Sequence, residues 1–352
     1  MSIAIKSLSN GLAALTAGGI FGYALNQGKV NIPGVITAFF ALKNFTMLRM
    51  FLAAASTSTA VALVLQKHNE KRMPPKAGRS LMSVSFLANF IGGVLLGAGM
   101  YISGSCPGTV WSQIGAGMPN TIYVIAGGIV GVLAYGYAEP KMSLCKHEPS
   151  KFIQWGLVPF FGMLAVVYAT DQMFPWQEEM LRVVPDSEAS FNLFANVWDP
   201  ALAGVVVGLL QLPLMLSKAN GLGASSGWTY FSSHVACAID CGHLEKTTYF
   251  HNAKTDEKAI WQAISSIGII LGSALSQYNS NYPSVNPELF NGMSPMKSFV
   301  GGILVLFGSR LAQGCTSGSG LTGMATRSLA SLVTVCGMFA GGLTLGQLLP
   351  PV

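Results

Sequence analysis

The amino-acid sequence predicts an all-α integral membrane protein of about nine transmembrane helices with short re-entrant helices, built as an inverted internal repeat with pseudo-two-fold symmetry. Three observations predict it. Apolar residues make up 51 % of the chain, charged residues only 10 %, and the mean hydropathy is +0.49; a soluble domain carries roughly 25 % charged residues. The apolar residues fall in runs of roughly 17–25, the length at which a helix crosses the hydrocarbon core. The stretch Gly92–Leu133 also recurs as Gly301–Leu343, and a shift of 209 positions places Cys106 on Cys315, Gly92 on Gly301, Gly99 on Gly308 and Gly128 on Gly337.

Taken in order, Leu12–Leu25 is expected to be the first span, because its Gly and Ala residues suit close packing in lipid. No small-residue cleavage site follows MSIAIKSLSNG, so Ser9–Ala24 reads as a retained span and not as a signal peptide. Asn26–Lys43 is interrupted by Pro33 and Gly34 and reads as a re-entrant piece. Met47–Leu65 spans next. The loop Lys67–Arg79 that follows holds five basic residues against Glu70 and is therefore expected in the cytoplasm. Ser80–Ile102 goes out, Gly104–Gly117 forms a cysteine loop, and Asn120–Tyr137 returns to the Lys-bearing loop Glu139–Lys151.

Phe152–Ala169 then crosses to the acidic loop Thr170–Asp199, where six carboxylates face only Arg182. Asp199-Pro200 reads as a cap followed by proline at the first helical position, opening the span Pro200–Ser217. Ser225–Ala238 is apolar enough to re-enter, Ile260–Leu275 crosses, and Gln277–Pro295 is an outer loop. Met296–Ala312, the second cysteine loop Gln313–Thr326 and Arg327–Leu349 complete the chain. Residues 1–151 thus read as a first repeat half, 152–199 as a linking span with its external loop, and 200–352 as the second, inverted half. The N-terminus is expected in the cytoplasm and the protein in the cell (plasma or inner) membrane.

Non-helical backbone survives at membrane depth only when it is packed in protein or lines a polar cavity. SGSCPGT and QGCTSGSG are therefore candidate linings of a path, with Gly104, Ser105, Cys106, Gly108 and Thr109 in the first and Gly314, Cys315, Thr316, Ser317 and Gly318 in the second. Pro107 is placed to start a short helix, and Thr316 or Ser317 to cap its counterpart. Helix starts at one depth would present N–H groups and positive dipole ends, which favour an anion. A buried thiol keeps its proton and offers a weak donor on a polarisable sulfur, which suits a soft sulfur-bearing anion better than a hard oxyanion. Arg310 is a source of positive potential beside the second loop.

GGVL and GGIL spans paired with GSCPGT in one half and RLAQGCTSG in the other resemble the YeeE/YedE family of sulfur-transport membrane proteins. The resemblance covers most of the chain. It implies an hourglass-shaped inverted repeat in which thiosulfate passes along cysteine thiols by S–H hydrogen bonds without being consumed, the thiols here being Cys106 and Cys315. The expected partners are thiosulfate or a similar sulfur-containing anion and the lipid bilayer, with a cytoplasmic sulfur-carrier protein as a further candidate. Family members commonly carry a third cysteine in the first re-entrant segment, where QGKVNIPG has Asn31, an amide able to hold an anion oxygen but unable to act as a thiol.

Other constellations leave alternatives open. His234, Cys237, Cys241 and His243 read as a metal site, as one packed helix face with polar ends, or, for Cys237, as an accessory thiol on the exit path. Cys336, inside an apolar span, reads as a small packing residue. No P-loop, dinucleotide fingerprint or HExxH is present, and no Lys/Arg stripe interleaved with aromatics points to nucleic acid. No cofactor is expected. Transport is the leading reading, ahead of a membrane sulfurtransferase that forms a cysteine persulfide. The persulfide reading needs a reactive thiolate, and the sequence places no cation or histidine beside either cysteine. A channel-like subunit dependent on a soluble sulfur carrier is the third reading.

Overall fold

A computed structural model of the chain describes residues 2–68, 85–139, 142, 158–185, 189–190, 192–193, 195–216, 221–239, 248–280 and 286–349. Most of both basic loops, with Cys145, Cys241 and His243, lies outside them. The first half comprises α1 (Ser2–Gln27), the short α2 (Pro33–Phe40), α3 (Thr46–His68), α4 (Phe86–Ser103), the short α5 (Thr109–Gly115) and α6 (Thr121–Ala138). A link of α7 (Val158–Met173), α8 (Trp176–Val183) and a two-residue parallel pairing, β1 (Ala189–Ser190) with β2 (Val197–Trp198), leads to the second half. There follow α9 (Pro200–Leu209), α10 (Gln211–Leu216), α11 (Ser225–Ile239), α12 (Thr248–Thr255), α13 (Glu257–Asn279), α14 (Pro287–Asn291), α15 (Pro295–Leu311), a π-helix (Thr316–Gly323) and α16 (Leu329–Leu348).

Six of these helical stretches, α3, α4, α6, α13, α15 with the π-helix, and α16, are long and apolar enough to cross a membrane. The other three expected spans coincide with α1, α7 and α9–α10. The first carries Lys6, Asn10, Asn26 and Gln27, and the second has 16 residues. The third breaks at Leu210, because the Pro213 ring clashes with the carbonyl four residues earlier. The Asp199 cap forms as expected, its carboxylate accepting from the N–H groups of Ala201 and Leu202.

At the centre, α4 and α15 cross antiparallel with their backbones in contact. A Cβ on Gly92 would meet the backbone of Gly308 and Ala312, and one on Gly99 would meet Gly301 and Val305. Gly92 and Gly99 stand 209 positions before Gly301 and Gly308, so the crossing is matched by its own image. The flanking contacts also come in twos: α4 packs on α16 and α15 on α6, α1 on α13 and α9 on α3, α5 on α13 and the π-helix on α3.

Helix α3 separates two differently charged ends. Near its start the buried Arg49 pairs with Glu179 at 2.5 Å and lies 3.8 Å from Asp171, both from the acidic link, and also donates to the Phe174 carbonyl. Near its end Gln66 accepts from Arg327 at 2.5 Å. Helix α7 buries only Met163, leaving Phe161, Leu164 and Tyr168 facing outward as lipid-facing side chains do. Cys336, expected to pack inside, is exposed on the outer face of α16, because the Gly337 and Gly341 side of that helix faces α4.

Candidate functional site

Helix α4 ends at Gly104, whose φ of 62° is left-handed and whose N–H returns to the Met100 carbonyl at 2.9 Å. A side chain there would strike Pro33. The chain then turns through Ser105 and Cys106 into α5. The Cys106 N–H donates to Thr109 Oγ1 at 2.7 Å, the Thr109 N–H donates to Cys106 Sγ at 3.3 Å, and the Val110 N–H donates to the Cys106 carbonyl at 3.1 Å. The helix begins at Thr109, so Pro107 lies in the turn ahead of it and does not open it.

The second loop repeats that bond. Cys315 caps the π-helix, with the Gly318 N–H donating to its Sγ at 3.4 Å and Ser317 Oγ 3.3 Å from the same sulfur. Thr109 and Gly318 are themselves 209 positions apart. The expected Thr316 or Ser317 cap is therefore replaced by sulfur. In both loops the sulfur accepts an N–H while its own S–H hydrogen can still be donated. π-Helices are rare and concentrate at functional sites. Gly314 sits against Ser319, where a Cβ would not fit.

The two loops meet at one cavity, lined by Cys106, Gly108 and Thr109 from the first and by Thr316 and Ser317 from the second. Phe21, Leu25, Val30, Met50, Phe51 and Leu321 are among the apolar side chains that complete its wall, and none of its lining residues is charged. It offers about 70 Å³ to the centres of water-sized spheres, several times what a single water needs. Cys315 is fully buried just behind Thr316 and Ser317.

Beyond Cys315 lie the cations. Arg310 Nε donates to Tyr249 Oη at 2.8 Å and its Nη1 to the Ser225 carbonyl at 3.4 Å. Burial holds the Tyr249 hydroxyl above its ordinary range, so it stays protonated and can accept. Both Arg310 and Lys258 lie within electrostatic range of Cys315. The sequence shows no cation adjacent to either cysteine; the fold brings two to one of them.

Asn31 is fully buried beside the first loop, with its backbone carbonyl accepting from Gln113 Nε2 at 2.9 Å and with both atoms of its amide unpartnered among the described residues. Cys237 lies apart, twelve residues along α11 from Ser225, about 18 Å at 1.5 Å per residue, and does not line this cavity. With His243 and Cys241 outside the described residues, no group of three metal-ligating side chains occurs among those described.

Sequence reasoning missed Gln113, which is fully buried and holds the carbonyls of Asn31 and Gly104 at 2.9 Å each while accepting from Ser105 Oγ at 2.6 Å. A glutamine inside the apolar stretch TVWSQIG was the available signal. It also missed Trp228, whose indole donates to the Pro107 carbonyl at 2.9 Å and packs on Trp111 at 4.5 Å between ring centroids, tying the first loop to α11.

Known proteins share this sequence pattern over most of its length. The chain is 22 % identical over 323 residues to the thiosulfate transporter TsuA of Escherichia coli K12, covering 88 % of this chain and 86 % of that one. It is 21 % identical over 357 residues to the thiosulfate transporter TsuA of Spirochaeta thermophila, covering 95 % and 98 %. Both relatives are named as transporters and not as enzymes. The family model for sulphur transport matches residues 27–344, nearly the whole of the two-loop architecture, and the chain belongs to that family.

Proposed function

We propose that this protein carries thiosulfate, or a closely similar sulfur-containing anion, across the membrane along a path that passes Cys106 and Cys315. The observation that carries the reading is the cavity shared by the two cysteine loops. Its apolar wall removes water, which strengthens any hydrogen bond made inside it. Thiol S–H groups at Cys106 and Cys315, with the Thr316 and Ser317 hydroxyls between them, are donors in series. A soft, polarisable sulfur anion is matched to such donors better than sulfate, and no bond to the anion need break.

The names of the two relatives support the substrate. The self-matched crossing of α4 with α15 and the paired helix contacts support an inverted repeat of residues 1–151 and 200–352 joined by residues 152–199. On that reading α1, α7 and α9–α10 complete nine spans, and α2, α5, α11 and the π-helix re-enter. The acidic link at one end of α3 and the basic loop after its other end support an outside-to-inside direction for α3, with the N-terminus in the cytoplasm of a cell or inner membrane. Cys106 then serves the outer half of the route and Cys315 the inner half, where Arg310 and Lys258 draw the anion inward. A cytoplasmic sulfur-carrier protein would accept it there.

Uptake of ³⁵S-thiosulfate by liposomes holding the purified chain tests the reading. Saturable uptake, competed by thiosulfate in excess and weakly by sulfate, is expected. Equal transport of sulfate would overturn the soft-anion assignment, and a persulfide found by mass spectrometry on either cysteine during turnover would replace transport by sulfur transfer.

A further inference from the structure

Two sets of polar bonds, the first buried and the second partly buried, follow the two cysteine loops, and the proposed transport does not use them. In the first half Gln113, on α5, bridges three groups: its Nε2 donates to the carbonyls of Asn31 and Gly104 at 2.9 Å each, and its Oε1 accepts from Ser105 Oγ at 2.6 Å. In the second half the residue 209 positions later is Thr322, on the π-helix. Its Oγ1 donates to the Leu222 carbonyl at 2.7 Å and accepts from Gln211 Nε2 at 2.9 Å, while Gln211 Oε1 accepts from the Leu222 N–H at 3.1 Å. Each set has three bonds. Asn31 stands just ahead of α2 and Leu222 just ahead of α11, so both sets join a post-cysteine helix to the backbone that leads into an earlier helix of its own half.

Each post-cysteine helix is meanwhile packed on a long helix of the opposite half. Helix α5 lies on α13, with Ser112 Oγ donating to Ser273 Oγ at 2.9 Å and Ser273 Oγ to the Ser112 carbonyl at 2.7 Å, and the π-helix lies on α3. The polar bonds therefore hold each post-cysteine helix to its own half, while its packing is on a long helix of the other. Their position matters as well. Ser105 and Gln113 line a second, small cavity of about 10 Å³ together with Ser103, Pro33, Met118 and Val124, whereas the adjoining Cys106 lines the central one. Ser105 and Cys106, neighbours in the chain, thus line different cavities.

We propose that Gln113 with Ser105, and Thr322 with Gln211, are two latches that close the route on opposite sides of the central cavity, and that both are shut in the conformation described here. The inference rests on a route past Cys106 and Cys315. Opening one latch strands buried donors and acceptors, which is costly in a dry interior. An entering anion lowers that cost, because its oxygens accept from the Gln113 amide in place of the Asn31 and Gly104 carbonyls. Side chains with one neutral amide and one hydroxyl suit such an exchange, since they hold neither a charge nor a metal that would trap the anion.

The test is thiol accessibility, which needs no substrate. In the full-length chain with Cys145, Cys237, Cys241 and Cys336 replaced by serine, the modification rates of Cys106 and Cys315 by a membrane-impermeant methanethiosulfonate are measured separately from each face of sealed vesicles. Gln113→Ala should raise the Cys106 rate from one face roughly tenfold, as loss of buried hydrogen bonds predicts, with Cys315 unchanged. Thr322→Val should raise the Cys315 rate from the other face only. Ser105→Ala, which removes one of the three bonds, should shift Cys106 in the same direction by less and serves if Gln113→Ala does not fold. Unchanged rates in variants that remain monodisperse in detergent, or both cysteines opening to the same face, overturn the latches. Because labelling is read without thiosulfate, failed uptake alongside shifted rates removes the substrate and leaves the latches, whereas normal uptake with unshifted rates removes only the latches.

Discussion

Around Cys106 the chain closes into a regular seven-residue α-helix, and around Cys315 into an eight-residue π-helix, yet each cysteine accepts an N–H from the residue three positions on. Their surroundings differ more than their backbones. Neutral polar groups, Ser105, Gln113 and the unpartnered amide of Asn31, stand near the first. The second has Arg310 and Lys258 within electrostatic range. The two loops therefore differ in the charge around them although their cysteines make the same bond.

The largest effect should come from removing either thiol. Cys106→Ala and Cys315→Ala are each expected to lower thiosulfate uptake roughly tenfold to a hundredfold, the worth of one hydrogen bond to a charged group. Cysteine-to-serine variants keep a donor and should lose less. Full uptake by either alanine variant would show that the two loops do not act in series. Next comes the charge asymmetry. Arg310→Gln should raise KM for uptake by roughly threefold to tenfold, within what one partly screened charge contributes, and Arg310→Lys should recover much of it; an unchanged KM would make the cations structural only.

Asn31 offers a finer comparison. Its amide makes no hydrogen bond in this conformation, so Asn31→Leu should leave thermal stability nearly unchanged while lowering uptake by roughly threefold, the range of one weak neutral hydrogen bond. A fall in melting temperature with intact uptake would make Asn31 a packing residue. The smallest effect is expected from Thr109→Val, which removes the acceptor for the Cys106 N–H and should cost about 1 kcal/mol of stability with uptake reduced no more than twofold to threefold. The second loop has no such threonine at Gly318, so it is immune to the equivalent loss.

The membrane-spanning character, the element order, and the pairing of Cys106 with Cys315 were legible in the chain, because run length, glycine spacing and a 209-residue repeat are one-dimensional signals. The short helices after each cysteine were legible as breaks, although their caps were not. Proline and hydroxyl residues are the usual markers of a helix start, and neither Gly108 ahead of the first helix nor the Cys315 sulfur ahead of the second leaves such a mark. The break at Leu210 was readable from Pro213 but masked by the apolar run around it.

Which residues share a space was settled by folding alone. Trp228 reaches Pro107 from 121 positions away, because α11 folds back over the first loop. Gln113 and Thr322 gain their meaning from carbonyls in other segments. Local periodicity and composition were enough to specify the repeated Gly-rich breaks with one cysteine in each. Bringing both to one cavity depended on the glycine contact between α4 and α15, a long-range packing that no local pattern encodes.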